Sequence, residues 1–254
     1  RDAQESRGLG DVYKRQFYIG AVILILCVIY TSVKVKEMPP KEYAEYHGIS
    51  EEQEKEKTNI LKLLVKAPKT FWTVGLVQFF CWFAFMFMWT YTNGSIAANV
   101  FGAPTTETVV DGISKVVLDT TSLQYQEAAN WVGVLFAVQA IGSVLWAVCI
   151  PLFKNRRLVY SLSLVLGGIG FISTYFVHNQ YVLFLSFILI GCAWAAMLAL
   201  PFTILTNSLS GSHMGTYLGL FNGTICIPQI VAAALGGSIL SLFTPEGCLP
   251  PEIN

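Results

Sequence analysis

Uncharged amides and broad aromatic rings recur at helical spacing along this 254-residue sequence, and such groups can grip a neutral polar solute. Gln78, Trp82, Phe85 and Trp89 follow one another at i, i+4, i+7 and i+11, which stacks them on one helix face. Gln139 and Trp146 stand seven residues apart, as do Asn222 and Gln229, so each pair falls on a single face. Indole offers a flat apolar surface to the C–H face of a sugar ring, and amides hydrogen-bond its hydroxyl rim. The set therefore suits a saccharide, with Trp82 as the stacking ring and Gln78, Gln139, Asn222 and Gln229 turned to a cavity. The same residues can equally serve as aromatic packing and interhelical hydrogen bonds.

Catalytic chemistry is not expected. His47, His178 and His213 sit in separate loops, and no carboxylate pair or Ser-His-Asp arrangement can be drawn inside the apolar runs. Five cysteines (Cys27, Cys81, Cys149, Cys192, Cys226) lie within those runs and Cys248 outside them, with no CxxC or metal-ligand spacing. They read as small apolar residues, so no cofactor, metal or enzyme activity is expected. Pro201 and Pro228 each interrupt an apolar run, where a kink frees a carbonyl that can face a cavity. Gly215, Gly219 and Gly223 form a GxxxGxxxG run whose bare backbone permits close approach of another helix, or sliding contact in a gate.

The elements that must position these residues are membrane spans. Six runs carry no Asp, Glu, Lys or Arg: 17–33, 71–92, 129–153, 158–177, 181–206 and 215–243. Each is about the 20 residues needed to cross roughly 30 Å of hydrocarbon. They are continuously apolar and do not alternate in polarity, which selects helices over barrel strands. The expected fold class is an all-α membrane protein with six transmembrane helices.

Charge distribution orients the spans. Formal net charge is zero, so no field argues for nucleic acid. Beyond residue 16, eight basic residues lie between Lys34 and Lys69, three more are Lys154, Arg156 and Arg157, and Lys115 alone falls in a loop of opposite parity. The positive-inside rule makes loops 34–69 and 154–157 cytoplasmic, so the first span runs inward. A multi-pass protein of the cell membrane follows, the inner membrane in a bacterium.

The connecting segments carry further expectations. Residues 1–16 are polar and look like translated adaptor or linker sequence abutting a span that starts abruptly at Phe17. Met38-Pro39-Pro40 ends the first helix, Ser50 to Gln53 has the form of a capping box, and a helix to about Lys66 lies at the membrane surface before Pro68 opens the next span. The outer stretch 93–128 reads as a long loop capping the extracellular mouth, in which Asn93-Gly94-Ser95 is a weak glycosylation match. The last residues, 244–254, read as a truncated Pro-rich outer loop.

Three strings carry a resemblance: GCAWAAMLALPFTILTNSL (191–209), GTYLGLFNGTICIPQIVAAALGG (215–237) and FFCWFAFMFMWTYTNG (79–94). Their G-x-x-W-A, L-P-F and I-P-Q patterns resemble the sugar:cation symporter branch of the major facilitator superfamily, close to the sucrose transporters and the glycoside-pentoside-hexuronide symporters. The resemblance covers about residues 17–243. It implies that the first span is the sixth helix of a twelve-helix carrier, that 34–69 is the central loop, and that the other five spans belong to the C-terminal bundle. The chain then reads as a fragment. Alternating access would move a sugar, a disaccharide or other α-glucoside, together with a cation, a proton in preference to sodium. Where plant sucrose carriers have acidic residues near the end of the seventh helix, this chain has Met88-Trp89-Thr90-Tyr91. The family's coupling charges lie mostly in the N-terminal bundle, consistent with the lack of intramembrane carboxylates here. A lysolipid or drug carrier of the same superfamily, and a non-transporting sugar sensor on a carrier scaffold, are the alternatives.

Overall fold

The computed structural model describes residues 2–35, 42, 45, 46, 60–110, 113–209 and 214–241. Contacts divide the chain into two compact units, Arg1–Lys57 and Thr58–Asn254. Among the described residues six helices are long and apolar enough to cross a membrane, so the fold is the expected all-α membrane architecture.

Among the described residues of the first unit the long element is α1 (Asp2–Lys34), and Glu42, Glu45 and Tyr46 are also helical. Its span is Phe17–Lys34, and every side chain described from 17 to 35 is exposed. The helix continues unbroken through residues 2–16, which contain no proline, so the abrupt apolar onset at Phe17 is not a structural boundary. The Ser50–Gln53 capping box and most of the expected surface helix lie outside the described residues; in the second unit Ile60–Val65 forms α2.

The second unit contains the other five spans. They are α3 (Lys69–Asn99), α4 (Leu123–Cys149) with a 3-10 turn at Ile150–Leu152, α5 (Arg156–Phe176), α6 (Leu183–Thr206), and a broken last span made of α7 (Met214–Phe221) and α8 (Gly223–Ser241). Several ends follow local chemistry. Pro68 caps α3 with an extended backbone, the Ser122 hydroxyl accepts from the Tyr125 N–H at the start of α4, and Asn155 accepts from the Arg157 and Leu158 N–H groups at the start of α5.

The stretch 93–128 is not a loop. Residues 93–99 carry no charge and prolong α3; Leu123 to Ala128 begin α4; and between them β1 (Thr105–Val110) pairs antiparallel with β2 (Ile113–Leu118), in register from Thr105 with Leu118 to Val110 with Ile113. Asp111-Gly112 between two runs rich in β-branched residues is a hairpin signal in the sequence. The length of the segment obscures it.

Helix α6 is the centre of the unit. It packs on α4 and α5 and also meets α3, which in turn carries α8. Of its most apolar window 61% is buried, against 17% for the last span, whose remaining faces are left to lipid or to other helices. Glycines set these crossings. A Cβ at Gly170 of α5 would stand 2.7 Å from the Ser186 carbonyl oxygen, and one at Gly191 of α6 would strike the Gln139 carbonyl and lie 2.9 Å from the Ser143 nitrogen. Backbones therefore touch across α5–α6 and α4–α6, the close packing that replaces a hydrophobic driving force in lipid.

Candidate functional site

The face expected on α3 forms. Gln78, Trp82 and Phe85 are buried in the main core, while Trp89 is 41% exposed at its outer end. Gln78 is engaged at both ends of its amide: Nε2 donates to the Met197 carbonyl at 3.1 Å, and the Tyr160 hydroxyl donates to Oε1 at 3.3 Å. Met197 lies four residues before Pro201, so its carbonyl is the one that proline leaves without a helical donor. In this conformation Gln78 ties α3 to α6 and α5, and the carbonyl freed by Pro201 meets an amide instead of a cavity.

One helical turn on, the rings gather. Trp82 meets Trp194 edge-on with centroids 5.7 Å apart, Trp89 meets Trp194 at 5.4 Å and 81°, and Phe85 lies 5.0 Å from Trp194 and 5.5 Å from Phe171. Trp194 of α6 is thus the hub of a cluster that draws on α3, α5 and α6. The sequence marks it only as the Trp of the G-x-x-W-A pattern and not as a site residue, because α6 is apolar on all sides and shows no preferred face. The available signal was a lone indole among Gly191, Cys192, Ala193, Ala195 and Ala196, small neighbours that leave room for rings from other helices.

One polar edge of this cluster lacks a partner: Trp82 Nε1 is enclosed and donates to nothing among the described residues. Gln139 on α4 is 6% exposed, and its side chain makes no hydrogen bond among the described residues. Its backbone carbonyl abuts Gly191, one turn from Trp194, so α6 links the Gln139 and Trp82 regions. Trp146, spaced with Gln139, instead donates to the Ser163 hydroxyl at 2.8 Å and is packing.

Asn222 sits at the break between α7 and α8. Its N–H reaches the Leu218 and Gly219 carbonyls at 3.3 and 3.2 Å, its own carbonyl accepts from Ile225 and Cys226, and its side chain is exposed and free among the described residues. Gln229 is half-buried on α8, and Pro228 beside it is fully buried. Cβ atoms at Gly215 and Gly219 would meet nothing within 4 Å, and one at Gly223 only the Ile227 side chain of its own helix. Among the described residues no other helix lies against the open side of that run; Gly142, Gly167, Gly170 and Gly191 make the close crossings instead.

Other features delimit the site. Asn93, in the weak glycosylation match, lies inside the α3 helix, half-buried and with its Oδ1 enclosed, rather than in the loop expected from sequence. At the base of the hairpin Asp119 Oδ1 accepts from the Thr121 hydroxyl at 2.6 Å and the Thr121 N–H at 2.9 Å, and these bonds hold its carboxyl below the ordinary value near 3.8. A cleft of about 270 Å³ opens between α3 and α8 at Met86, Phe87, Thr90, Tyr91, Ala232 and Ala233. Among the described residues no three His, Cys, Asp or Glu side chains are placed to hold a metal ion.

Comparison with known proteins agrees with this architecture. No curated protein and no solved structure matched the chain. The family model of the Major Facilitator Superfamily matches residues 96–248, which include Gln139, Trp194, Asn222 and Gln229 and leave Gln78 and Trp82 upstream of the match. That match covers more than half of the chain. A bundle of apolar helices with its polar groups turned inward is what a carrier of that kind requires, and the chain belongs to the major facilitator superfamily.

Proposed function

We propose that this chain forms part of a secondary transporter that moves a sugar, a disaccharide or α-glucoside, across the cell membrane by alternating access, coupled to protons in preference to sodium. The observation that carries the reading is the buried indole N–H of Trp82, unpartnered within a cluster of three tryptophans. An enclosed polar group in an apolar medium costs free energy unless a partner arrives. A sugar hydroxyl or ring oxygen is such a partner, and flat indole faces complement the rest of the ring. Gln139, Asn222 and Gln229 supply further amides without protein partners among the described residues.

In the mechanism proposed, the conformation described here keeps the Trp82 edge closed, and rocking of the bundle opens it to solute. Gln78 belongs to the binding set in the opened state, where its amide would exchange the Met197 carbonyl for a hydroxyl. Pro201 and Pro228, and the uncovered Gly215, Gly219 and Gly223, supply the bending and sliding surfaces. The six spans carry no carboxylate within their apolar runs, so the proton site would lie elsewhere in the complete carrier.

Uptake of a radiolabelled disaccharide by cells expressing the full-length protein, with and without a protonophore, tests this reading. Accumulation that collapses with the gradient supports it, and accumulation unaffected by the protonophore contradicts proton coupling.

A second reading, a carrier of single-chain lipids, is favoured by the apolar cleft between α3 and α8. Its volume of about 270 Å³ lies below the roughly 300–1,000 Å³ of pockets that enclose drug-sized ligands. Uptake of a labelled lysolipid that survives replacement of the amides would favour it.

A further inference from the structure

At the inner ends of α5 and α6 lies a second polar feature, outside the tryptophan cluster and unused by the transport reading. An open cavity of about 500 Å³ is lined by Lys154, Asn155, Arg156, Arg157, Ile204, Asn207 and Ser208. Three of these side chains are cationic, all three are exposed, and among the described residues none forms an ion pair. Asn207 and Ser208 add neutral polar groups from the opposite wall. The first turn of α5 is already capped, since Asn155 accepts from the Arg157 and Leu158 N–H groups, so the side chains supply the attraction.

Position narrows the ligand. The cavity sits where two spans, Arg156–Phe176 and Leu183–Thr206, meet water on the side that charge counting makes cytoplasmic. Leu152 and Leu158, next to the cations, are 80% and 57% exposed, so apolar surface continues from the cavity rim toward the hydrocarbon. Arginine binds phosphate oxygens through two parallel N–H groups, and paired arginines beside a lysine suit a phosphate with its negative charge delocalised over several oxygens. An anionic headgroup would place that phosphate in the cavity while its acyl chains lie along Leu152 and Leu158.

We propose that this cavity is a binding site for a phosphate-bearing anion at the cytoplasmic membrane surface, with Lys154, Arg156 and Arg157 as its ligands. The phosphate can belong to an anionic phospholipid or to a soluble phosphate, and the test separates the two.

The full-length protein in detergent is titrated with phosphatidylglycerol or with phosphatidylcholine, and retained lipid is read by native mass spectrometry. Three cations predict a preference for phosphatidylglycerol of about tenfold or more. The triple variant K154Q/R156Q/R157Q should lose that preference, and R156K/R157K, which keeps the charge, should retain most of it. K66Q/K69Q removes two exposed cations elsewhere on the same side and should leave the preference intact. Preference surviving in the triple variant, lost equally in K66Q/K69Q, or absent from the wild type overturns the site. Inorganic phosphate at millimolar concentration is the second arm. Failure to displace phosphatidylglycerol from the wild type supports a lipid source, and displacement from the wild type supports a soluble one.

Discussion

Gln78 and Pro201 are partners although they lie on different helices. Proline has no N–H to give the Met197 carbonyl one turn back, and Gln78 Nε2 donates to that carbonyl from α3 at 3.1 Å. A kink that would leave a bare acceptor in hydrocarbon is closed by an amide whose other end receives the Tyr160 hydroxyl. The three helices are thereby coupled at one residue.

That coupling is measurable. Gln78→Ala should destabilise the protein by about 1 kcal/mol, the range of interhelical hydrogen bonds in membranes. In a Pro201→Ala background, where the backbone N–H returns, the same replacement should cost distinctly less. Additive losses in the thermal unfolding of the two single variants and the double variant would show that the residues do not communicate.

Trp82→Phe removes the indole N–H together with part of the ring. Loss of a buried donor without a partner among the described residues offsets part of the cavity cost, so stability should fall by no more than about 1–3 kcal/mol, while sugar affinity should fall about 5- to 30-fold, roughly 1–2 kcal/mol, in variants that remain folded. Unchanged affinity measured by tryptophan fluorescence or competition would make the indole a packing residue only.

Glycines divide by what they face. Gly191→Ala would drive a methyl into the Gln139 backbone and should cost about 1–3 kcal/mol or abolish folding. A Cβ at Gly168 meets nothing within 4 Å, so Gly168→Ala should be neutral or stabilising by up to about 1 kcal/mol. Melting temperatures in detergent that fall equally in both variants would contradict the crossings described.

Asp119 gives the hairpin base a pH dependence. Because the Thr121 bonds lower its folded pKa, the stabilisation is complete above the ordinary value near 3.8 and is lost as pH falls through the lower folded value. The protection of the Thr121 to Gln126 amides against exchange, relative to their intrinsic rates at each pH, should fall over that acid range. Asp119→Asn should remove the change, and a profile unaltered by that variant would assign it to another group.

The span count, the helical face of α3 and the start of a span at Pro68 were legible in the sequence because each rests on residues close together in the chain. The hairpin was legible in principle from Asp111-Gly112 and its β-branched flanks, but a hydropathy reading passes over it. The partners of Gln78 were not legible, since Met197 is 119 positions away and only the α3–α6 crossing brings them together. Nor was Trp194, because a helix apolar on every side gives no clue to which face meets which neighbour. The GxxxGxxxG run shows the converse: spacing marked a packing surface, and the structure leaves Gly215 and Gly219 open.

We infer that the tryptophan cluster, with the amides of Gln139, Asn222 and Gln229, belongs to a sugar site that alternates across the membrane. Counterflow tests it most directly, because it needs no ion gradient. Full-length protein in proteoliposomes loaded with unlabelled disaccharide should take up labelled disaccharide in a transient overshoot, reduced at least about tenfold, roughly 1.4 kcal/mol, by Asn222→Ala or Trp194→Ala in variants that remain folded. No overshoot from the wild type with any α-glucoside, or an overshoot indifferent to both replacements, would contradict the account.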